Sequence, residues 1–177
     1  MIVPVPGAFY PFRARFIRAC KPESAVYNDF MIHLLAFVAL GTVVCDLALK
    51  LVPLGEQRVL LPGVLGLAYA QNRGVAFGLL NQSPLVSLLV SLALVLLGGA
   101  CARGLRLTRP EALGAGLMLG GALGNLTDRA LHGAVSDYLQ LLLFRFPLFN
   151  LADACLTLGA LLLALCALLP GGKARHV

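Results

Sequence analysis

Three aspartates (Asp128, Asp137, Asp153), two asparagines (Asn125, Asn150) and Arg129 stand within residues 120–153, in a chain otherwise dominated by leucine, alanine, valine and glycine. A carboxylate near the middle of a bilayer costs about 2.5–3.5 kcal/mol on insertion scales, so such groups in apolar surroundings usually serve a function. Asp137 and Asp153 lie sixteen positions apart, one before an apolar segment and one just inside the next. A chain that doubles back between them brings the two carboxyl groups together, and this pair is the candidate active site. Two acids beside lipid cannot both ionise cheaply, so the pair keeps one proton at neutral pH. One carboxylate can then take a proton from water while its protonated partner polarises a scissile carbonyl. That is general acid–base peptide hydrolysis with no covalent intermediate.

Other chemistries are less well supplied. No Ser–His or Cys–His pair is evident, and His132 is the only histidine near the site. A metal would find only hard oxygen ligands, and His33, His132 and His176 are too dispersed to form a ligand set. Intramembrane carboxylates also serve as proton relays in transporters. Against a relay, the four aspartates Asp46, Asp128, Asp137 and Asp153 map to one membrane side, the inner half of each helix is apolar, and no internal repeat is visible. A purely structural membrane scaffold is the third alternative, and it leaves the polar cluster without a purpose.

The composition says what solvent surrounds these residues. The chain has 177 residues, is 59% hydrophobic and only 12% charged, with mean hydropathy +0.89. Soluble domains carry about twice that charged fraction, so the reading is a polytopic membrane protein with one domain. The net charge is +6, and its placement is informative. Arg13, Arg15, Arg18 and Lys21 precede the first apolar block, Arg103, Arg106 and Arg109 separate the second from the third, and Lys173 and Arg175 follow the last. That distribution puts both termini and the middle loop in the cytoplasm. No basic face interleaved with aromatics exists, which argues against nucleic acid. The five cysteines form no CxxC, and four lie in or beside apolar blocks, where they behave as small hydrophobes.

In chain order, prolines 4, 6, 11 and 22 interrupt residues 1–30, which read as a cytoplasmic tail before a retained anchor. The first span covers about 30–51, with Asp46 and Lys50 on one helix face. Their pairing is either an intrahelical ion pair, with Lys50 snorkelling outward, or a brace for a neighbouring polar site. Residues 53–83 form the long extracytoplasmic segment, in which 58–61 and 64–70 suit small strands and Asn72-Arg73-Gly74 resembles a hairpin tip. An uncharged second span covers 85–102. The third, about 111–127, carries Gly116, Gly120 and Gly124 on one face, a stripe that lets helix backbones approach closely. Residues 139–143 are too short to span and are placed at the interface. Pro147 precedes Phe149-Asn150-Leu151-Ala152-Asp153, and the fourth span extends to about Leu169 and ends at Pro170-Gly171-Gly172, with Asn150 and Asp153 on one face.

At these residues the chain resembles the lipoprotein signal peptidases, or signal peptidase II, aspartic peptidases of the bacterial inner membrane. Five blocks match in order: Asp46 with Lys50; Asn72 to Phe77; Gly120 to Arg129; Gly133 to Asp137; and Phe149 to Asp153. The resemblance covers about residues 33–170. It implies an enzyme that removes the signal peptide from a diacylglyceryl-modified prolipoprotein, cutting just before the lipidated cysteine. By motif position Asp137 and Asp153 are the catalytic pair. Asn72, Asn125, Arg129 and Asn150 line the site and orient substrate or catalytic carboxylates, while Asp46, Lys50, Gly74 and Asp128 support it. Two departures stand out: Val135-Ser136-Asp137-Tyr138 replaces the family's common Val-Val-Asp-Phe, and the spacing of the two aspartates is short.

The expectation is therefore an all-α membrane protein of four transmembrane helices, with a small extracytoplasmic β-rich segment between the first two. A cytoplasmic tail, 1–30, precedes a peptidase domain, 31–170, and a cytoplasmic tail, 171–177, follows it. No cofactor and no metal are expected. The expected partners are diacylglyceryl-prolipoprotein substrates and membrane lipid, with no nucleic acid, and the enzyme is expected to act as a monomer with its active site on the extracytoplasmic side.

Overall fold

The computed structural model describes residues 23–52, 57–73 and 107–168, with seven isolated positions between 85 and 96. The second span expected at 85–102 lies outside the described residues apart from those positions. So do residues 1–22, Gly74 with residues 75–77, and the tail after 168. The described elements are α1 (Glu23–Lys50), β1 (Arg58–Leu61), β2 (Leu65–Asn72), α2 (Arg109–His132), β3 (Val135–Leu141) and α3 (Leu151–Leu168). The molecule is mostly helical, with one small antiparallel sheet.

Helix α1 begins directly after Pro22, several residues before the expected start of the first span, because proline blocks helix only on its N-terminal side. Its outer surface is apolar: Phe37 is 76% exposed, and Leu40 and Val44 also point away from the protein. Helix α3 behaves likewise through Leu158, Leu161, Leu165 and Leu168. Such faces cannot be left to water, and segments 26–50 and 151–168 are each long and apolar enough to cross a membrane. Helix α2 is longer than the expected third span at both ends. Thr108 starts it by bonding the Glu111 carboxylate through both its backbone N–H and its hydroxyl, at 2.8 Å each, and Pro110 fits the first turn.

Helix α2 packs against both α1 and α3, and glycine on two of its faces makes this possible. Towards α1, a Cβ on Gly120 would stand 2.6 Å from the Ala39 carbonyl oxygen and from the Thr42 Cβ, and one on Gly116 would stand 2.8 Å from the Val38 Cβ. Towards α3, a Cβ on Gly121 would collide with the Ala152 carbonyl oxygen, and Gly114 meets Gly159. The expected glycine stripe thus faces α1, and a second small-residue stripe faces α3. At the end of α1 and α2 away from the aspartates, Met31, Leu35, Leu107 and Ala112 form a small apolar core. Gly120→Val is expected to lower stability by about 1–3 kcal/mol through overpacking. Gly41→Ala, where the new methyl meets nothing within 4 Å, should be neutral or slightly stabilising. Thermal unfolding in detergent compares the two.

The sheet runs β1-β2-β3, each strand antiparallel to its neighbour. Gly63, at φ 72°, makes the turn between β1 and β2, where the Val64 N–H donates to the Leu61 carbonyl at 3.0 Å. The two strands read from the sequence are present, but the sheet is not confined to the segment between the first two helices. Its third strand, β3, contains Ser136, Asp137 and the start of the run assigned to the interface. Asn72 is consequently not at a hairpin tip: it ends β2, opposite Val135, while Ala70 pairs with Asp137. Beyond β3 the chain doubles back, and Phe149 bonds Leu139 in both directions, at 2.8 and 3.0 Å. This places the start of α3 beside β3.

Candidate active site

The first turn of an α-helix presents backbone N–H groups without helical partners. In α3 three of them are satisfied by side chains from three other places. The Leu151 N–H donates to the Tyr138 hydroxyl at 3.1 Å, the Ala152 N–H to Asp46 Oδ1 at 3.0 Å, and the Asp153 N–H to Asn150 Oδ1 at 2.9 Å. The Asp153 carboxylate reaches back to the Asn150 N–H at 3.4 Å. Asn150 is therefore the residue that caps α3, one position before the helix, rather than a companion of Asp153 on its face. Capping ties the two side chains together more firmly than a shared face would.

Asn150 is also the link between the two aspartates. Its Nδ2 donates to Asp137 Oδ1 at 2.8 Å and to Asn125 Oδ1 at 3.1 Å. Asn125 in turn donates from Nδ2 to Asp153 Oδ1 at 2.8 Å, and Asn72 donates to Asp137 Oδ2 at 3.1 Å. Each carboxylate thus carries amide donors, and a single buried side chain touches both residues. Asn125 and Asp153 converge from facing helices, Asn72 and Asp137 from paired strands. Burial, reinforced by the nearby Asp153 charge, pushes the Asp137 carboxyl from its ordinary 3.8 up to about 6, against the opposing pull of the Asn72 and Asn150 donors.

This shift has a measurable sign. Between pH 3.8 and about 6 the folded protein holds a proton on Asp137 that the unfolded chain has released. Stability from this group is therefore complete below pH 3.8 and is lost as pH rises through about 6. Thermal unfolding midpoints of the wild-type protein should fall across that interval, and Asp137→Asn should flatten the fall.

Behind the pair lies a second polar layer. Lys50 Nζ stands 2.8 Å from Asp46 Oδ2 and 3.4 Å from Asp128 Oδ2, and donates to Asn125 Oδ1 at 3.2 Å. Its side chain is only 5% exposed, so it turns inward and does not snorkel. The intrahelical ion pair is thus present without the snorkelling, and the inward turn of Lys50 also matches the brace. Gly124 leaves room for it, since a Cβ there would stand 2.7 Å from Asp46 Oδ2.

A cavity of about 630 Å³ opens onto this cluster, with Asn72, Asn125, Arg129 and Asp153 on its polar wall and apolar residues such as Phe149 and Leu156 on the rest. Asp137, 3% exposed, lies behind that wall. Of the ten residues singled out from the sequence, nine are described. They converge on this one region, from α1, β2, α2, β3 and the start of α3; Gly74 lies outside the described residues. Sequence reasoning missed Tyr138, whose hydroxyl burial pushes up to about 12, so that it stays neutral as it accepts the Leu151 N–H. It also missed the Ser136 backbone N–H, which donates to Asp128 Oδ2 at 2.6 Å. The only signal for Tyr138 was its departure from the family's common phenylalanine.

Comparison with known proteins identifies the family. Residues 38–169 match the family model described as signal peptidase (SPase) II. The lipoprotein signal peptidase of Syntrophomonas wolfei is 42% identical over 122 residues, covering 67% of this chain and 78% of its own. That of Brevibacillus brevis is 35% identical over 141 residues, covering 78% and 93%. Among solved structures, a bacterial membrane enzyme determined at 2.3 Å by the in meso method superposes with a TM-score of 0.68 at 25% identity. The match covers 80% of this chain and 92% of that one. With two segments among the described residues long and apolar enough to cross a membrane and a family match over most of its length, this chain belongs to the signal peptidase II family of membrane peptidases.

Proposed function

We propose that the protein is an aspartic endopeptidase of the bacterial inner membrane that removes the signal peptide from diacylglyceryl-modified prolipoproteins, cleaving before the lipidated cysteine. The observation that carries the reading is Asn150, which caps the helix of Asp153 while bonding the carboxylate of Asp137. Two acids held by one buried residue, Asp137 through its side-chain amide and Asp153 through its backbone N–H, act as a unit and share one proton. The ionised member takes a proton from water, and the hydroxyl oxygen adds to the scissile carbonyl carbon. The protonated member gives its proton to the carbonyl oxygen. Collapse of the tetrahedral intermediate breaks the C–N bond as a proton passes to the departing nitrogen. Asn72, Asn125 and Arg129 orient the substrate backbone at the cavity wall, and Asp46, Lys50 and Asp128 hold the frame, with Gly74 beside them in the family's motif.

The chain would cross the membrane four times, with residues 1–30 and 171–177 in the cytoplasm and domain 31–170 between them. The site then faces the extracytoplasmic side and works in a monomer without cofactor. The apolar cavity wall formed by Leu156 and Leu158 continues onto the exposed leucines of α3, a route by which a diacylated substrate can arrive from the bilayer. The test is purified protein in proteoliposomes with a diacylglyceryl-modified precursor and its unmodified counterpart. Cleavage before the modified cysteine, with little on the unmodified peptide, is the expected result. Ion or solute flux without cleavage would support a transporter instead.

A further inference from the structure

The turn that joins α2 to β3 is held by a side chain that the mechanism does not use. His132 is the last residue of α2, and its Nδ1 lies 2.7 Å from Asp128 Oδ1. The imidazole is 62% exposed, whereas Asp128 is 3% exposed. The other Asp128 oxygen accepts the Ser136 N–H at 2.6 Å and faces Lys50 Nζ at 3.4 Å. Between the two anchor points stands Gly133, at φ 70°, with its N–H on the Arg129 carbonyl at 2.9 Å. The chain therefore reverses in a few residues, and Asp128 bridges the reversal with one oxygen on each side. The residue after Ser136 is Asp137.

A carboxylate only accepts hydrogen bonds, so the His132 nitrogen facing it must carry the proton. The imidazolium and one neutral tautomer both meet this condition. The groups facing the histidine–carboxylate pair include Lys50 from α1, the Ser136 amide from β3 and, within electrostatic reach of Asp128, the Arg129 guanidinium from α2 itself. With Oδ1 held by His132, Oδ2 is left aimed at the Ser136 amide, and the strand register that presents Asp137 to Asn72 and Asn150 is fixed. Without the ring, the Asp128 carboxylate is free to rotate towards Lys50 and loosen its hold on Ser136.

We propose that His132 is a positioning residue for Asp137, acting through Asp128 and the Ser136 amide. The inference rests on the reading of Asp137 and Asp153 as the catalytic pair, and deepens it. The experiment uses the full chain in proteoliposomes with a diacylglyceryl-modified precursor, with kcat normalised to the folded fraction. Three variants are compared: His132→Ala, His132→Asn and Asp137→Asn. His132→Ala should lower kcat by about tenfold at nearly constant KM, because misplacing one reacting group slows chemistry without weakening binding. His132→Asn, whose Nδ2 falls where the ring Nδ1 was, should return kcat to within about twofold of wild type. A residue needed only for folding would show neither the kcat–KM split nor the rescue. Wild-type kcat in His132→Ala, or no recovery in His132→Asn, overturns the proposal while an inactive Asp137→Asn leaves the catalytic pair standing. An active Asp137→Asn overturns the pair itself, and with it this role for His132.

Discussion

Asp137→Asn and Asp153→Asn should each reduce cleavage of a diacylated precursor by at least about a thousandfold, with the protein still folded and inserted. Each substitution keeps the shape of the side chain and removes the oxygen that exchanges a proton. Asp137 receives Asn72 on one oxygen and Asn150 on the other, so an asparagine there keeps one of the two bonds. The lost bond is offset because an amide does not have to be ionised in a buried site. Asp153 is more deeply built into the frame, since its carboxylate accepts both Asn125 and the Asn150 N–H. Its asparagine variant should therefore be somewhat less stable than the Asp137 variant, though no more active. Cleavage above a tenth of the wild-type rate in either variant would contradict the assignment.

The second large effect is structural. Lys50→Met should destabilise the protein by about 3–5 kcal/mol, the usual result of stranding a buried charge. In this case two charges lose their partner, because Lys50 stands between Asp46 and Asp128. Asn125 also loses one of the two donors on its oxygen, keeping only Asn150 Nδ2, so the amide that holds Asp153 is less firmly fixed, and activity should fall with stability. The double variant Asp46→Asn/Lys50→Met should recover part of the loss, since an amide oxygen at position 46 can still accept the Ala152 N–H without a counter-charge. Asp46→Asn alone should be milder than either change at the catalytic pair. Equal thermal midpoints for Lys50→Met and wild type in detergent would show that the cation is not needed for the fold.

Much of this was visible in the residue order because apolar runs and intramembrane charges leave strong one-dimensional signals. The approximate courses of α1, α2 and α3 and the convergence of Asp137 and Asp153 follow from such signals, whereas Asn72 is joined to the site only by the family resemblance. Strand β3 does not follow from them. Val135–Leu141 places Ser136 and Asp137 among apolar residues and is buried on alternate and adjacent positions alike, so no clean period-two pattern marks it. Its partner β2 lies some 65 residues earlier, as the Asn72–Asp137 bond shows, and pairing at that range leaves no local trace. The same blindness affected Tyr138, whose importance lies in the backbone N–H it meets, a partner set only once α3 has folded back on β3. His132 meets Asp128 one turn away on α2, but what makes that contact matter, the Ser136 amide on the other Asp128 oxygen, appears only when β3 is in place. Asn150 was placed one position too far inside its helix because capping and helical residues share a composition, and helix ends are the least legible feature of a sequence.

The central claim is that a carboxylate from the sheet and a carboxylate from the start of α3 meet in one site. The most direct measurement is cross-linking of the D137C/D153C variant, in a background with the five native cysteines replaced, using a short bifunctional thiosulfonate in native membranes. The account predicts efficient intramolecular linkage, absent when either cysteine is omitted. No linkage, while a control pair at positions 70 and 137 on the paired strands links readily, would contradict it.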